Sequence, residues 1–141
     1  MKSLLLALLV LFPFLAVTQN IEVEITNVRS NRGTLRLGVF TSNENFKADK
    51  AFKKFAYTKE DLKNCSLTVH FDLEPGTYGL SILDDENDNR TLDFNFLHVP
   101  SEGFGFSNYY HTGMILPNLE KFKITVTEDE AQQVIIKMRY L

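Results

Sequence analysis

Ile21-Glu22-Val23-Glu24-Ile25-Thr26 alternates apolar and polar residues without a break. Period two marks a strand with one buried face, because successive side chains of extended backbone point to opposite sides. The pattern returns in Thr34-Leu35-Arg36-Leu37-Gly38-Val39-Phe40, with Leu35, Leu37 and Val39 inward. Asn31-Arg32-Gly33 between the two runs is a turn signal, so they are expected to pair as a hairpin with a long loop. Glu120 to Thr127 alternates as cleanly, with Phe122, Ile124 and Val126 inward, and Gln133 to Tyr140 reads as a closing strand.

Three further runs complete the set. Leu67 to Phe71 reads as a strand that Cys65 would extend, placing the thiol in the core beside Leu67, Val69 and Phe71. Glu74-Pro75-Gly76-Thr77 is a turn, and Tyr78 to Leu83 follows it as a strand. A short strand is expected within Leu92 to Val99, whereas Gly103 to Pro117 reads as aromatic and irregular. Between residues 45 and 60 the alternation lapses. Asp49 to Ala56 is expected there as one short helix, capped by Asp49, with Phe52, Phe55 and Ala56 buried. Lys47, Lys50, Lys53 and Lys54 make a basic cluster, which is either a solvated face or a contact for an acidic surface such as lipid head groups.

About seven short strands with one apolar face each, and no β-α-β alternation, call for an all-β antiparallel sandwich of two sheets. The first residues have a different character. Lys2 precedes an apolar run from Leu4 to Val17, and Ala16-Val17-Thr18 offers small residues for cleavage. This is a secretory leader pattern, too short for a membrane span of roughly 20 residues. Residues 1–18 are therefore expected to be a signal peptide, and 19–141 a single domain with no transmembrane segment in the mature chain. The formal charge of the 141-residue chain is −3, and loss of Lys2 would lower it further, which argues against a nucleic-acid partner. One cysteine cannot form a disulfide within the chain.

The candidate chemistry lies after the Tyr78–Leu83 strand, in Asp84-Asp85-Glu86-Asn87-Asp88-Asn89-Arg90-Thr91-Leu92-Asp93. Asp85, Asn87, Asn89 and Asp93 stand at positions 1, 3, 5 and 9 of a calcium loop over 85–96, with the Thr91 carbonyl at position 7. Position 6 is Arg90 instead of glycine, and position 12 is Phe96 instead of glutamate. Two readings stand: a weak calcium site, or an Asx-rich turn that bonds its own amides. Phe104, Phe106, Tyr109, Tyr110 and His111 form either a ligand surface for a sugar or peptide or a plug over the sandwich. His70, His98 and His111 lack metal or triad spacing, and no nucleophile motif is present.

Leu73-Glu74-Pro75-Gly76-Thr77-Tyr78, then Asp85-Glu86-Asn87-Asp88-Asn89 with Leu92-Asp93, then Pro100 with Gly105-Phe106-Ser107-Asn108, together resemble the bacterial family called domain of unknown function 2141. The resemblance runs from about Ile21 to Tyr140. It implies an exported protein with an immunoglobulin-like or transthyretin-like β-sandwich and no established activity. The sequence departs from the family pattern at Asp84, where histidine is usual, and at Asp88, Arg90 and His98, where glycine is usual. The expected function is a non-catalytic binding or structural module of the cell envelope, periplasmic, outer-membrane-associated or secreted, with an envelope protein or glycan as partner. The alternative is a small extracytoplasmic hydrolase using the acidic loop 84–93.

Overall fold

The computed structural model describes residues 19–141. The expected signal peptide, residues 1–18, lies outside the described residues. Among the described residues, eight strands form two sheets. In chain order they are β1 (Ile21–Thr26), β2 (Thr34–Phe40), β3 (Lys53–Thr58), β4 (Leu67–Phe71), β5 (Gly76–Asp85), β6 (Gly103–Phe106), β7 (Lys123–Val126) and β8 (Gln132–Lys137). The first sheet has the order β4-β1-β8. The second has the order β3-β2-β5-β6, with β7 also paired to β5. β5 is long enough for β7 to pair with Gly76–Gly79 and β6 with Ser81–Asp84. All pairings are antiparallel except β1 with β8.

The period-two patterns place the core as expected. Ile21, Val23, Ile25, Val69, Val134 and Ile136 of one sheet face Leu35, Leu37, Val39, Leu80, Ile82 and Ile124 of the other. Burying such aliphatic side chains contributes about 1.5–3 kcal/mol each. A second, smaller cluster lies on the outer face of the five-stranded sheet. It joins Leu119 to Phe40, Phe46, Phe106 and Phe122, whose rings meet edge to face or tilted at 4.9–5.9 Å.

Four local expectations are corrected. β1 and β2 are not a hairpin, because the link between them crosses from one sheet to the other. Asn27 turns left-handed at φ 61° and its amide side chain donates to the Met138 carbonyl, while Val28 is buried between the sheets. The short helix is α1 (Asn43–Lys47), not Asp49–Ala56. The Ser42 hydroxyl accepts from the Asn45 amide and starts the helix earlier, and Asp49 ends it in a left-handed conformation. Residues 53–58 instead form β3, and Phe52 is exposed. Cys65 is exposed, because Asn64 and Cys65 form a two-residue turn with both φ positive. Reciprocal bonds between Lys63 and Ser66 close that turn before β4 begins. Residues 92–99 form no strand, whereas Gly103–Phe106 do.

Gly103 and Gly105 admit this last strand against β8. A Cβ at Gly105 would stand 2.6 Å from the Ile136 side chain, and one at Gly103 2.3 Å from the Tyr140 ring.

Candidate functional site

β5 delivers Asp84 and Asp85 to opposite faces of its sheet, as extended backbone requires. Both carboxylates are buried. Asp84 points inward, where it accepts from Lys59 Nζ and, at 2.6 Å, from the Tyr140 hydroxyl. Lys59 also donates to the Arg32 carbonyl at 2.6 Å. Burial and the hydrogen bond to Asp84 push the Tyr140 hydroxyl well above its usual range. Asp85 points outward and accepts from Arg36 Nε and from the amides of Asn89 (3.0 Å) and Arg90 (2.9 Å). Burial alone would raise its pKa, but Arg36 and the two amides outweigh burial and hold it low.

Glu86 takes a third cation. Arg29 donates to it through Nε and a terminal nitrogen, at 3.1 and 2.6 Å, and the Ser30 hydroxyl donates at 2.7 Å. The Arg29 contact, opposed by burial, holds its pKa down to about 2. Glu102 accepts the amides of Glu86 and Asp93, at 3.0 and 3.3 Å, and burial raises its pKa.

The proposed calcium ligands do come together. Asn87 and Asn89 donate through their side-chain nitrogens to Asp93, at 2.6–2.9 Å. The Asn87 oxygen accepts the Asn89 amide at 3.1 Å, and the Asn89 oxygen accepts Thr91 N at 2.9 Å. Every side-chain oxygen of Asp85, Asn87, Asn89 and Asp93 thus accepts from the loop itself or from Arg36, which is the pattern of an Asx-rich turn. Among the described residues, no three His, Cys, Asp or Glu side chains are grouped to hold a metal ion. Asp88, Arg90 and His98 stand at φ 57°, 69° and 57°. The left-handed bends therefore survive at the positions where the resembled family usually has glycine.

The aromatic candidates separate. Phe106 is in the outer cluster, with Phe104 and Tyr109 packed against it, and Tyr110 is exposed. His111 places its ring against Phe106, at 6.0 Å, and its Nε2 bonds the Ile115 carbonyl at 2.6 Å. Its Nδ1 is buried without a hydrogen-bond partner among the described residues.

This segment forms one wall of a groove of ≈ 740 Å³ that lies over the outer face of the five-stranded sheet. The floor is made of small or short residues from paired strands: Ala56 of β3, Gly38 of β2 and Ser81 of β5. Phe40, Phe46, Phe104 and Phe106 line it, and the segments 90–100 and 111–116 border it. Met114 and Ile115 on the border are 72% and 85% exposed, and Phe94 and Leu116 also meet solvent. Arg36, Lys47, Lys54 and Arg90 line it too, against Asp49 as the one acidic side chain. Reading the sequence did not find this groove. Its signal was the period-two pairs Gly38-Phe40 and Ser81-Leu83, where the outward face of a strand is small or apolar instead of charged.

Among the described residues, no helix is long and apolar enough to cross a membrane. The comparison with curated proteins gives no match, and that with solved structures gives none. A bacterial family described as "Uncharacterized protein conserved in bacteria (DUF2141)" matches residues 23–134, well over half of the chain and including both sheets and the whole acidic loop. The chain belongs to the DUF2141 family.

Proposed function

We propose that this protein is a non-catalytic binding module of the cell envelope, exported by the leader pattern of residues 1–18, and that it takes an apolar or amphiphilic ligand in the groove over its five-stranded sheet. The observation that carries the reading is the groove itself. A cavity of ≈ 740 Å³ lies within the roughly 300–1,000 Å³ of small-molecule sites, and aromatic walls over a floor of small residues suit an apolar occupant. Exposed Met114, Ile115, Leu116 and Phe94 cluster at its edge, and contiguous exposed hydrocarbon marks a binding surface. The acidic loop supports a structural role over a hydrolytic one. Asp84, Asp85 and Glu86 each pair with a different cation, which leaves none of the three free as an acid or base beside another.

The test is a titration with the fluorescent apolar probe N-phenyl-1-naphthylamine. Uptake should be saturable and should fall at least tenfold in Ser81→Trp, which fills the floor. The exposed pair Met114→Glu with Leu116→Glu should weaken it without lowering the melting temperature. Absence of saturable uptake would overturn the groove reading. Intact-mass measurement of protein from its host should show loss of about 18 residues if the leader is cleaved.

A further inference from the structure

We infer that the occupant is an anionic amphiphile with a single hydrocarbon chain, its acidic head held by Lys47 and Lys54 and its chain lying across Gly38 and Ser81 toward Phe106. The inference rests on the groove binding a ligand, as proposed above, and adds the ligand's chemical class.

The charge distribution carries it. The chain has 18 acidic and 15 basic residues, yet the groove reverses that balance, with four basic side chains and one acidic side chain in its lining. Arg36 is committed to Asp85. Lys47, Lys54 and Arg90 form no ion pair among the described residues. Lys47 ends α1 and Lys54 lies on β3 opposite Gly38, so the two residues flank the short connection 48–52, which also carries Asp49. Lys50, which is exposed, belongs to that connection. The opposite flank is hydrocarbon, from Phe104 and Phe106 on β6 to Met114 and Ile115.

Unpaired cations and exposed hydrocarbon in one groove select among ligand classes. A neutral apolar molecule gains nothing from the ammonium groups, which stay hydrated. A cationic amphiphile is repelled by them. A hydrophilic anion leaves the aromatic wall uncovered. A carboxylate or phosphate on an alkyl chain satisfies both. Lysine suits this role, because a compact ammonium acts on such a head as a point charge.

The experiment titrates the purified protein with four ligands of equal chain length below their micelle concentrations: dodecanoate, dodecyl phosphate, dodecanol and dodecyltrimethylammonium. At low salt, both anions should bind on the order of tenfold more tightly than the cation. The gap should narrow in half-molar salt, because these lysines are exposed and screened. Lys47→Gln with Lys54→Gln should abolish the gap, and Lys47→Glu with Lys54→Glu should reverse it, whereas Lys63→Glu with Lys121→Glu, away from the groove, should preserve it. Tighter binding of one anion than the other identifies the head as carboxylate or phosphate, and either result sustains the class. Equal affinity for the anions and the cation would overturn the inference while leaving the groove reading intact. Failure of all four ligands would overturn the groove reading itself. Association with vesicles of anionic phospholipid, without uptake of monomeric ligand, would overturn the inference in favour of a membrane-surface contact.

Discussion

The Lys59 ammonium donates to the Asp84 carboxylate inside the sandwich, and neither side chain reaches solvent. Lys59 leaves β3 just after Thr58, and Asp84 is the inward residue before the end of β5, so the pair ties two strands that flank β2. Taking two charges out of water costs several kcal/mol per ion, which is offset only when the remaining hydrogen bonds are made. Here the Arg32 carbonyl and the Tyr140 hydroxyl make them.

That pairing predicts strong non-additivity. Lys59→Met alone should destabilise the protein by about 3–5 kcal/mol, because it leaves Asp84 buried and unpaired. Lys59→Met combined with Asp84→Leu should recover most of that loss. Urea unfolding of the two single variants and the double variant measures the coupling. Additive losses would show that the two side chains do not depend on each other.

Acid stability should depend on Glu86. Its folded pKa of about 2 lies below its ordinary value of 4.5, so it stabilises the fold above pH 4.5 and loses that contribution as pH falls toward 2. The effect should be on the order of 1–2 kcal/mol, because solvent screens the 43% exposed Arg29. Glu102 has the opposite sign: its raised pKa favours the fold at low pH and removes that contribution as pH rises. Glu86→Gln should therefore be less stable than the parent at neutral pH and should flatten the decline between pH 5 and 2. Urea midpoints across that range test it.

Backbone strain separates Gly33 from His98. Gly33 stands at φ 69°, and a Cβ there would lie 2.0 Å from the Asp85 carbonyl oxygen. Gly33→Ala should cost about 2 kcal/mol or more, through a left-handed alanine and a backbone clash. His98 has a side chain at φ 57° and is exposed. His98→Gly should leave stability unchanged or raise it by up to about 1 kcal/mol, since glycine relieves the left-handed strain but frees the unfolded chain. Thermal melts of both variants decide whether these two positions behave as the backbone angles require.

Calcium should leave the fold unmoved. A metal at Asp85, Asn87, Asn89 and Asp93 would have to displace the amide and side-chain donors that already occupy those oxygens. Melts in chelator and in millimolar calcium should coincide. A rise of about 4–8 °C, lost in Asp85→Ala with Asp93→Ala, would instead establish the calcium loop.

Where side chains alternate, the local sequence decided the outcome. Ile21-Val23-Ile25, Leu35-Leu37-Val39 and Ile124-Val126 are all buried in the core, because a one-residue slip would turn every one of them to solvent. Phe122, expected on the same face as Ile124, instead follows a 3-10 turn and is buried in the outer aromatic cluster. The acidic loop was equally legible as a turn, since Asp and Asn side chains bond amides two to five residues on, within reach of the local chain. Cys65 and Asp49 misled because strand and helix patterns extend plausibly through them. Backbone turns at φ 61° and 51° set those boundaries, and composition does not encode these angles in a cysteine or an aspartate.

The sequence by itself determined that this is a β-sandwich, which residues form its core, and that it belongs with the bacterial family its motifs resemble. Pairing partners, the buried Lys59–Asp84 contact and the groove were decided only by the tertiary structure. Alternation tells a strand which face to bury but not which neighbour to take, so β1 pairs in parallel with β8, more than 100 positions later, instead of with β2. The groove arises from residues of β2, β3, β5 and β6 and two loops, each unremarkable on its own strand. Only when hydrogen bonding aligns Ala56, Arg36 and Leu83 with Phe104, and Gly38 and Ser81 with Phe106, does a low floor meet an aromatic wall.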